Sequence, residues 1–420
     1  MSFDTERIEH RPLTSLLKFI VDNRGKTVPT SETGIPLIAT NCIKDNELYP
    51  VFEKIRYISK DTYDNWFRAH PMPGDIIFVN KGTPGRVCLV PDPIDFCIAQ
   101  DMMALRVDES IIDNKYLFAV LRSPQFQNQI NNYHVGTLIP HFKKGDLDKL
   151  LIPIPSMQIQ KNIGDYYFTL SHKIELNNRM NKVLEQMAQA IFKQWFVDFE
   201  FPNENGEPYK SSGGEMVWCE DLGKEIPVGW RQGQLGEIAT YRNENITPNQ
   251  IPVGTPYVGL EHIPRRKLDL DSFGDSSKLG SNKSCFKKND ILFGKLRPYF
   301  HKVSIAPFGG VCSTDIIPIY VKKEHYFGQL ACTLFSDELI NYVTQSSNGT
   351  KMPRTNWKDI SQYEIILPDE HTSGNFTNIF RDIAEQFQVH FKESERLFNL
   401  RDTLLPKLMS GEIDVSEIEF

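Results

Sequence analysis

Residues 136–147 read GTLIPHFKKGDL, and residues 349–360 read GTKMPRTNWKDI. Both carry Gly-Thr-x-x-Pro-x-x-x-x-x-Asp followed by Leu or Ile, 213 positions apart (349 minus 136). A repeat of this kind decides a fold before local patterns do. The likeness extends beyond the motif: GIPLIATNCI (34–43) aligns with GTPYVGLEHI (254–263), sharing Gly, Pro and Ile. GDIIFVNKGTPGRV (74–87) resembles NDILFGKLRPYFHKV (289–303), each an Asp-Ile-(Ile/Leu)-Phe run entering a basic, proline-containing turn. IAQDMMALRV (98–107) aligns with CSTDIIPIYV (312–321), with Asp101 opposite Asp315. Four weak matches in one order describe a duplicated module.

Within each copy, short Ile-, Val- and Phe-rich runs bounded by Gly, Pro, Asn and Asp read as strands and turns. Residues 115–132 and 326–344 read as helices. Each module is therefore a mixed α and β domain. After each one the pattern turns helical, with Ser156 a plausible N-cap behind Pro153 and Pro155. Apolar residues then recur at steps of four and three: Ile163, Tyr167, Leu170, Ile174, Leu184, Ala188, Ile191 and Trp195, with Asn177 and Asn181 in the middle. The same shift of 213 gives Phe376, Phe380, Ile383, Phe387, then His390 and Ser394, then Leu397, Arg401, Leu404 and Leu408. These are heptad seams, and the economical partner of each long helix is the other. Two readings of the polar pairs stand open: they meet midway along antiparallel helices and fix register, or they face solvent in an imperfect heptad. Residues 202–229, rich in Gly, Pro and Ser, read as a linker.

A chain of 420 residues with 40% hydrophobic and 24% charged residues is an ordinary soluble composition with room for two cores. No signal peptide opens it and no apolar run reaches membrane-spanning length, so a cytoplasmic location and no membrane partner are expected. Seven scattered cysteines without a Cys-x-x-Cys suggest buried thiols rather than disulfides or zinc. The net charge of −7 argues weakly against nucleic acid as a partner, because a phosphate-binding surface must be basic, but global charge averages over faces. Residues 256–302 nevertheless hold ten Lys and Arg against five acids, including Arg265 and Arg266. That cluster is either a solvated face or a phosphate-binding one.

Catalytic signatures fail one after another. RGKT (24–27) lacks the first glycine of a phosphate-binding loop, since position 20 is Ile. Asp92 with Asp113-x-Lys115 only loosely imitates a nuclease motif, and His134 and His141 are not at a metal-ligand spacing. No dinucleotide fingerprint, nucleophile elbow or amino-methyltransferase Asn-Pro-Pro motif occurs. A non-enzyme with no metal site of its own is expected. A tandem repeat on paired helices imitates a twofold dimer, which suits a target that is itself repeated, such as duplex DNA. A helix of about 40 residues spans roughly 60 Å.

At this point the sequence resembles the specificity subunit of a type I restriction-modification system, over essentially the whole chain. The resemblance rests on the two Gly-Thr-x-x-Pro copies, QAIFKQWFVDFEF (189–201), EIPVGW (225–230) and LLPKLMSGEIDV (404–415). It implies an α+β architecture of two tandem target recognition domains, separated and joined by two long antiparallel coiled-coil helices with pseudo-twofold symmetry. The corresponding boundaries are 1–155 and 230–370 for the recognition domains, 156–200 and 371–420 for the helices with the C-terminal tail, and 201–229 for the linker. It implies partners too: double-stranded DNA read as two half-sites, two methyltransferase subunits, and an ATP-dependent restriction subunit. S-adenosylmethionine, ATP and Mg would belong to those subunits, with no cofactor in this chain.

DNA contacts are expected from the matching turns, at Lys81, Thr83, Arg86, Lys295, Arg297 and Tyr299, and from the repeated motif, at Lys143, Lys144, Lys351 and Arg354. Arg265 and Arg266 join them from the basic cluster. Arg and Lys suit guanine edges, and Asn or Gln suit adenine. Phe192, Trp195, Phe196 and Phe199, with Leu405 and Leu408, are expected to dock a partner subunit. The open alternative is that the phenylalanines pack against their own module. The rival functions are a stand-alone nuclease or methyltransferase, and a coiled-coil adaptor that never touches DNA.

Overall fold

The structure is a computed structural model and describes residues 8–23, 26–133, 140–346 and 352–414. It divides into two compact units. One runs to Leu176 and resumes at Arg396; the other is Asn177–Glu395. Each long helix, Met157–Phe196 and Glu370–Met409, is thus shared between both units rather than standing as a separate domain.

The first unit is built on a four-stranded antiparallel sheet in the order Leu17–Asp22, Met102–Val107, Ile76–Val79, Val87–Leu89. Ile76, Ile77, Phe78 and Val79 are all fully buried, which is why that strand is a continuous apolar run and not an alternating one. A second sheet orders Arg56–Ile58, Ile35–Ile38 and Cys97–Ile98, the last pair parallel. Glu9–Pro12 pairs with Leu151–Ile154 and closes the module where the long helix starts. The expected helix over 115–132 is two, Asn114–Arg122 and Pro124–Tyr133, because Pro124 cannot continue the first and Ser123 Oγ accepts the Phe126 N–H.

The second unit repeats this plan. Its four-stranded sheet runs Ala239–Tyr241, Ile316–Val321, Ile291–Gly294, Val303–Ile305, again antiparallel. A five-stranded sheet keeps the parallel contact, here between Pro256–Val258 and Gly310–Cys312. Arg231–Gln234 pairs with Glu364–Leu367 just before the second long helix. The repeated Asp of the Asp-Ile-x-Phe runs is structural in both copies: Asp75 accepts from Arg106 Nε and Nη2 at 3.0 and 2.9 Å, and Asp290 takes both nitrogens of Arg242 in the same fork.

Each unit contains antiparallel stretches of both long helices. In the first unit, Ile163 and Tyr167 share a core with Leu405 and Leu408, and Arg401 is buried over the Tyr167 ring. In the second, Trp195 packs on Phe376, and the two polar pairs meet. Asn181 lies 2.5 Å from His390 Nδ1, and Asn177 donates to Glu393 and Ser394 at 2.9 and 3.2 Å. Both asparagines are buried, so the register reading holds over the solvent one.

The segment expected to be a linker is folded. Phe201 stacks between Tyr209 at 4.5 Å and Trp230 at 4.9 Å, and Met216–Cys219 pairs with Lys224–Pro227 as a hairpin. Three widely spaced aromatics carry this packing, and a Gly-, Pro- and Ser-rich composition hides them. All seven cysteines are free, five of them buried.

Candidate nucleic-acid interface

In each module the Asp-Ile-x-Phe strand runs into a turn that main-chain hydrogen bonds fix in the same way. In the first, the Asn80 N–H donates to Asp101 O (3.1 Å), the Phe142 N–H to Asn80 O (2.7 Å) and the Gly82 N–H to Pro140 O (2.9 Å). In the second, the Lys295 N–H donates to Asp315 O (2.9 Å), the Thr355 N–H to Lys295 O (3.0 Å) and the Arg297 N–H to Pro353 O (2.8 Å). The turn closes with Val79 N–H to Arg86 O (2.9 Å) in one copy and Gly294 N–H to Lys302 O (2.8 Å) in the other. The proline of the repeated motif is therefore a clamp. It has no N–H to give, its fixed φ holds the segment extended, and its carbonyl takes a turn N–H. The glycines of the motif, Gly136 and Gly349, lie outside the described residues, as does His134.

The expected contact residues divide by what already holds them. Four cations are paired: Arg86 with Asp45 (2.9 Å), Lys144 with Asp22 (2.8 Å), Arg266 with Asp337 (3.0 Å) and Arg354 with Asp315 (3.4 Å). All four cations are more than a third exposed or close to it, and such pairs contribute about 0–1 kcal/mol, so a phosphate can displace them. Lys81, Lys143, Arg265, Lys295 and Arg297 have no carboxylate partner among the described residues. Arg265 and Arg297 lie over the same Phe300 ring, at 4.0 and 5.8 Å. Two guanidinium groups on one ring without a carboxylate make a local positive field that an external anion neutralises. Thr83 is half-buried in the first turn, and Tyr299 is half-exposed in the second. Lys351 lies outside the described residues.

Apart from Arg297, sequence reasoning missed the polar atoms packed around these turns. Asn80 Oδ1, Gln100 Oε1 and His141 Nδ1 in the first module, and Arg297 Nε and Thr355 Oγ1 in the second, are buried with no hydrogen-bond partner among the described residues. A buried polar group left without a partner costs about 1–3 kcal/mol, so these atoms call for a partner from outside the chain, water or ligand. Aligning the copies offers the one usable signal: Asn80 stands where the sister turn has Lys295.

A buried polar network seats the Arg265–Leu270 segment against the long helices within the second unit. Asn181 donates to Asp269 (3.0 Å), and Glu185 accepts the Leu268 N–H (2.6 Å). Burial pushes the Glu185 carboxyl up to about 7, and burial also raises that of Asp269.

The expected docking residues need correction. Trp195, Phe196 and Phe199 are 7%, 5% and 3% exposed and pack with Trp230 and Phe376 in their own core. Phe192 is half-buried at 6.1 Å from Phe376. Leu405 and Leu408 sit in the core of the first module. The excess of aromatics is consumed by the module and the folded connector, as the alternative held. Exposed apolar groups lie elsewhere on the first helix, at Met180 (40%), Val183 (53%) and Met187 (50%), spaced to share one face.

Among the described residues no group of three or more His, Cys, Asp or Glu side chains is placed to hold a metal, and no helix is long and apolar enough to cross a membrane.

Comparison with known proteins agrees with this arrangement. The family model described as "Type I restriction modification DNA specificity domain" matches residues 9–186 and 227–390. The type I restriction enzyme MjaIX specificity subunit of Methanocaldococcus jannaschii is 25% identical over 356 residues, covering 82% of this chain and 79% of that one. The EcoDI specificity subunit of Escherichia coli is 24% identical over 326 residues, covering 73% and 72%. In fold, the chain is similar to the crystal structure of a type I restriction-modification S subunit from M. genitalium, with a TM-score of 0.53, 17% identity and 96% coverage of each chain.

Proposed function

The chain belongs to the type I restriction-modification DNA specificity family, as a recognition component and not an enzyme, and on that premise we propose how it works. Each module reads one half of a split double-stranded DNA target, and the paired long helices set the unread gap. Two methyltransferase subunits dock on the chain, and an ATP-dependent restriction subunit joins for cleavage. S-adenosylmethionine, ATP and Mg act on those subunits, and the complex works in the cytoplasm.

The observation that carries the reading is the pair of turns. They are entered through the same main-chain bonds, while their side chains differ at almost every position. A scaffold that is the same twice with readers that differ is what two unlike half-sites require. For methyltransferase docking, the supporting feature is the exposed Met180, Val183 and Met187 face, an apolar helical stripe suited to a partner helix.

The test is co-expression with the methyltransferase subunit, followed by sequencing of methylated adenines. One split motif is expected, and exchange of residues 230–370 for another module should alter a single half. Change in both halves, or in neither, defeats the model. Methylation by the purified chain alone would restore the stand-alone enzyme as the better account.

A further inference from the structure

The two turns open with the same main-chain bonds, so residues 80–82 can be compared with 295–297, although the second turn is then one residue longer. Position 82 of the first corresponds to position 297 of the second, because each N–H donates to the proline carbonyl of the repeated motif. Both residues are left-handed, with φ of 85° at Gly82 and 53° at Arg297. Glycine adopts that conformation freely, whereas a long L-side chain is strained there. At Gly82 a Cβ would meet nothing within 4 Å, so the position opens on free space.

The second module thus holds an arginine in a conformation that its sister reaches without strain. Its N–H is held by Pro353 O, but among the described residues no side-chain partner rewards the guanidinium. Arg297 Nε is buried with no acceptor, no carboxylate among the described residues pairs with the guanidinium, and its ring contact with Phe300 is long at 5.8 Å. Strain retained without an internal return points to an external contact.

That contact is either a phosphate or a base. Phosphates are the same in every half-site, so a phosphate contact would be served by both copies. The 82/297 position is cationic in one copy and bare in the other. Divergence at a position held by the same main-chain bond in both copies is the mark of a group that reads sequence. A guanidinium offers two parallel donors, and the base edge that accepts both is guanine, through O6 and N7.

We infer that Arg297 is the guanine-reading, specificity-determining residue of the second module. This rests on the proposed reading of one half-site by each module.

The experiment uses the full chain in complex with its methyltransferase subunit. The methylated motif is sequenced for the parent and for Arg297→Gly, and binding is measured on duplexes with 7-deazaguanine, which lacks N7, at each guanine of the second half. The parent should lose about tenfold or more in affinity at one such position, and Arg297→Gly should be indifferent to that substitution. The variant's motif should relax at that one base while the first half stays unchanged. Because glycine relieves the strain, its melting temperature should equal or exceed the parent's. Arg297→Lys, which keeps charge without the fork, should discriminate less than the parent.

The inference falls if the second half contains no guanine, or if 7-deazaguanine has no effect on the parent, a measurement that needs no variant. It falls if Arg297→Gly weakens all duplexes equally with a shallower salt dependence, the signature of a phosphate contact. It falls equally if the variant melts lower with an unchanged motif. If instead the parent complex yields no split motif at all, the reading of half-sites fails before the question of Arg297 arises.

Discussion

Replacing Glu185 with glutamine should stabilise the protein at alkaline pH. The carboxyl sits on the first long helix, mostly buried, and accepts the Leu268 N–H at 2.6 Å. Burial raises it from an ordinary carboxylate value to about 7, with the neighbouring Asp269 pushing the same way and Lys267 and Lys182 opposing. The folded state therefore holds its proton up to about pH 7, while the unfolded chain releases it near pH 4.5. Between those values the folded state binds more protons, so stability falls as pH rises. A displacement of roughly 2.5 units corresponds to about 3 kcal/mol at pH 8, at about 1.4 kcal/mol per unit, and to less than about 1 kcal/mol at pH 5. Glutamine keeps an oxygen for the Leu268 N–H without the charge. Thermal melts of parent and Glu185→Gln at pH 5 and pH 8 are the assay. The variant should melt several degrees higher at pH 8 and nearly level at pH 5. A variant less stable than the parent at pH 8 would refute the reasoning, since it would show the ionised carboxylate to be well solvated or well paired.

Trp195→Ala should destabilise by about 3–5 kcal/mol, read by denaturant melts, because the indole is 7% exposed between Phe196 and Phe376; a small effect would return it to the docking surface. Asp290→Ala removes the buried carboxylate that holds the half-buried Arg242 guanidinium and should cost about 3 kcal/mol in the same assay. Val183→Glu with Met187→Glu should leave the melting temperature of the isolated chain within a degree or two, yet abolish co-purification of the methyltransferase subunit. Retained co-purification would place docking elsewhere.

What the sequence made legible was periodic or duplicated. The seam positions Ile163, Tyr167, Phe376 and Phe380 are buried as heptad spacing requires, and Asn177 and Asn181 find partners on the facing helix. Other features depend on contacts that no periodicity encodes. Phe192, Phe196 and Phe199 looked surplus to the seam because Trp230 and Phe376, which pack on them, are remote in sequence. The connector looked unstructured because the residues that pack it, Phe201, Tyr209, Ile226 and Trp230, are widely spaced. Of the expected DNA contacts, sequence could name the cations but not their state. Only coordinates separate Arg86 and Arg266, held by Asp45 and Asp337, from Arg265 and Arg297, which share a ring without a counter-charge.

The repeated motif that first betrayed the duplication is explained by which bonds it makes. Main-chain hydrogen bonds are blind to side chains: Phe142 and Thr355 donate the same N–H to the residue at the start of the turn, although one ring packs on Phe78 and the other residue carries a buried, unpaired hydroxyl. Proline is the exception, because its ring fixes φ, so Pro140 and Pro353 are kept where His141 and Arg354 are free to differ. A duplicated recognition scaffold needs this separation. If side chains held the turn, every change of target would disturb the geometry that presents it. With the backbone holding its start, Asn80 in one copy corresponds to Lys295 in the other, and Gly82 to Arg297, at positions fixed by the same main-chain bonds. The cost of that freedom is the set of polar atoms at both turns that lack a partner among the described residues, and that DNA would satisfy on the proposed reading.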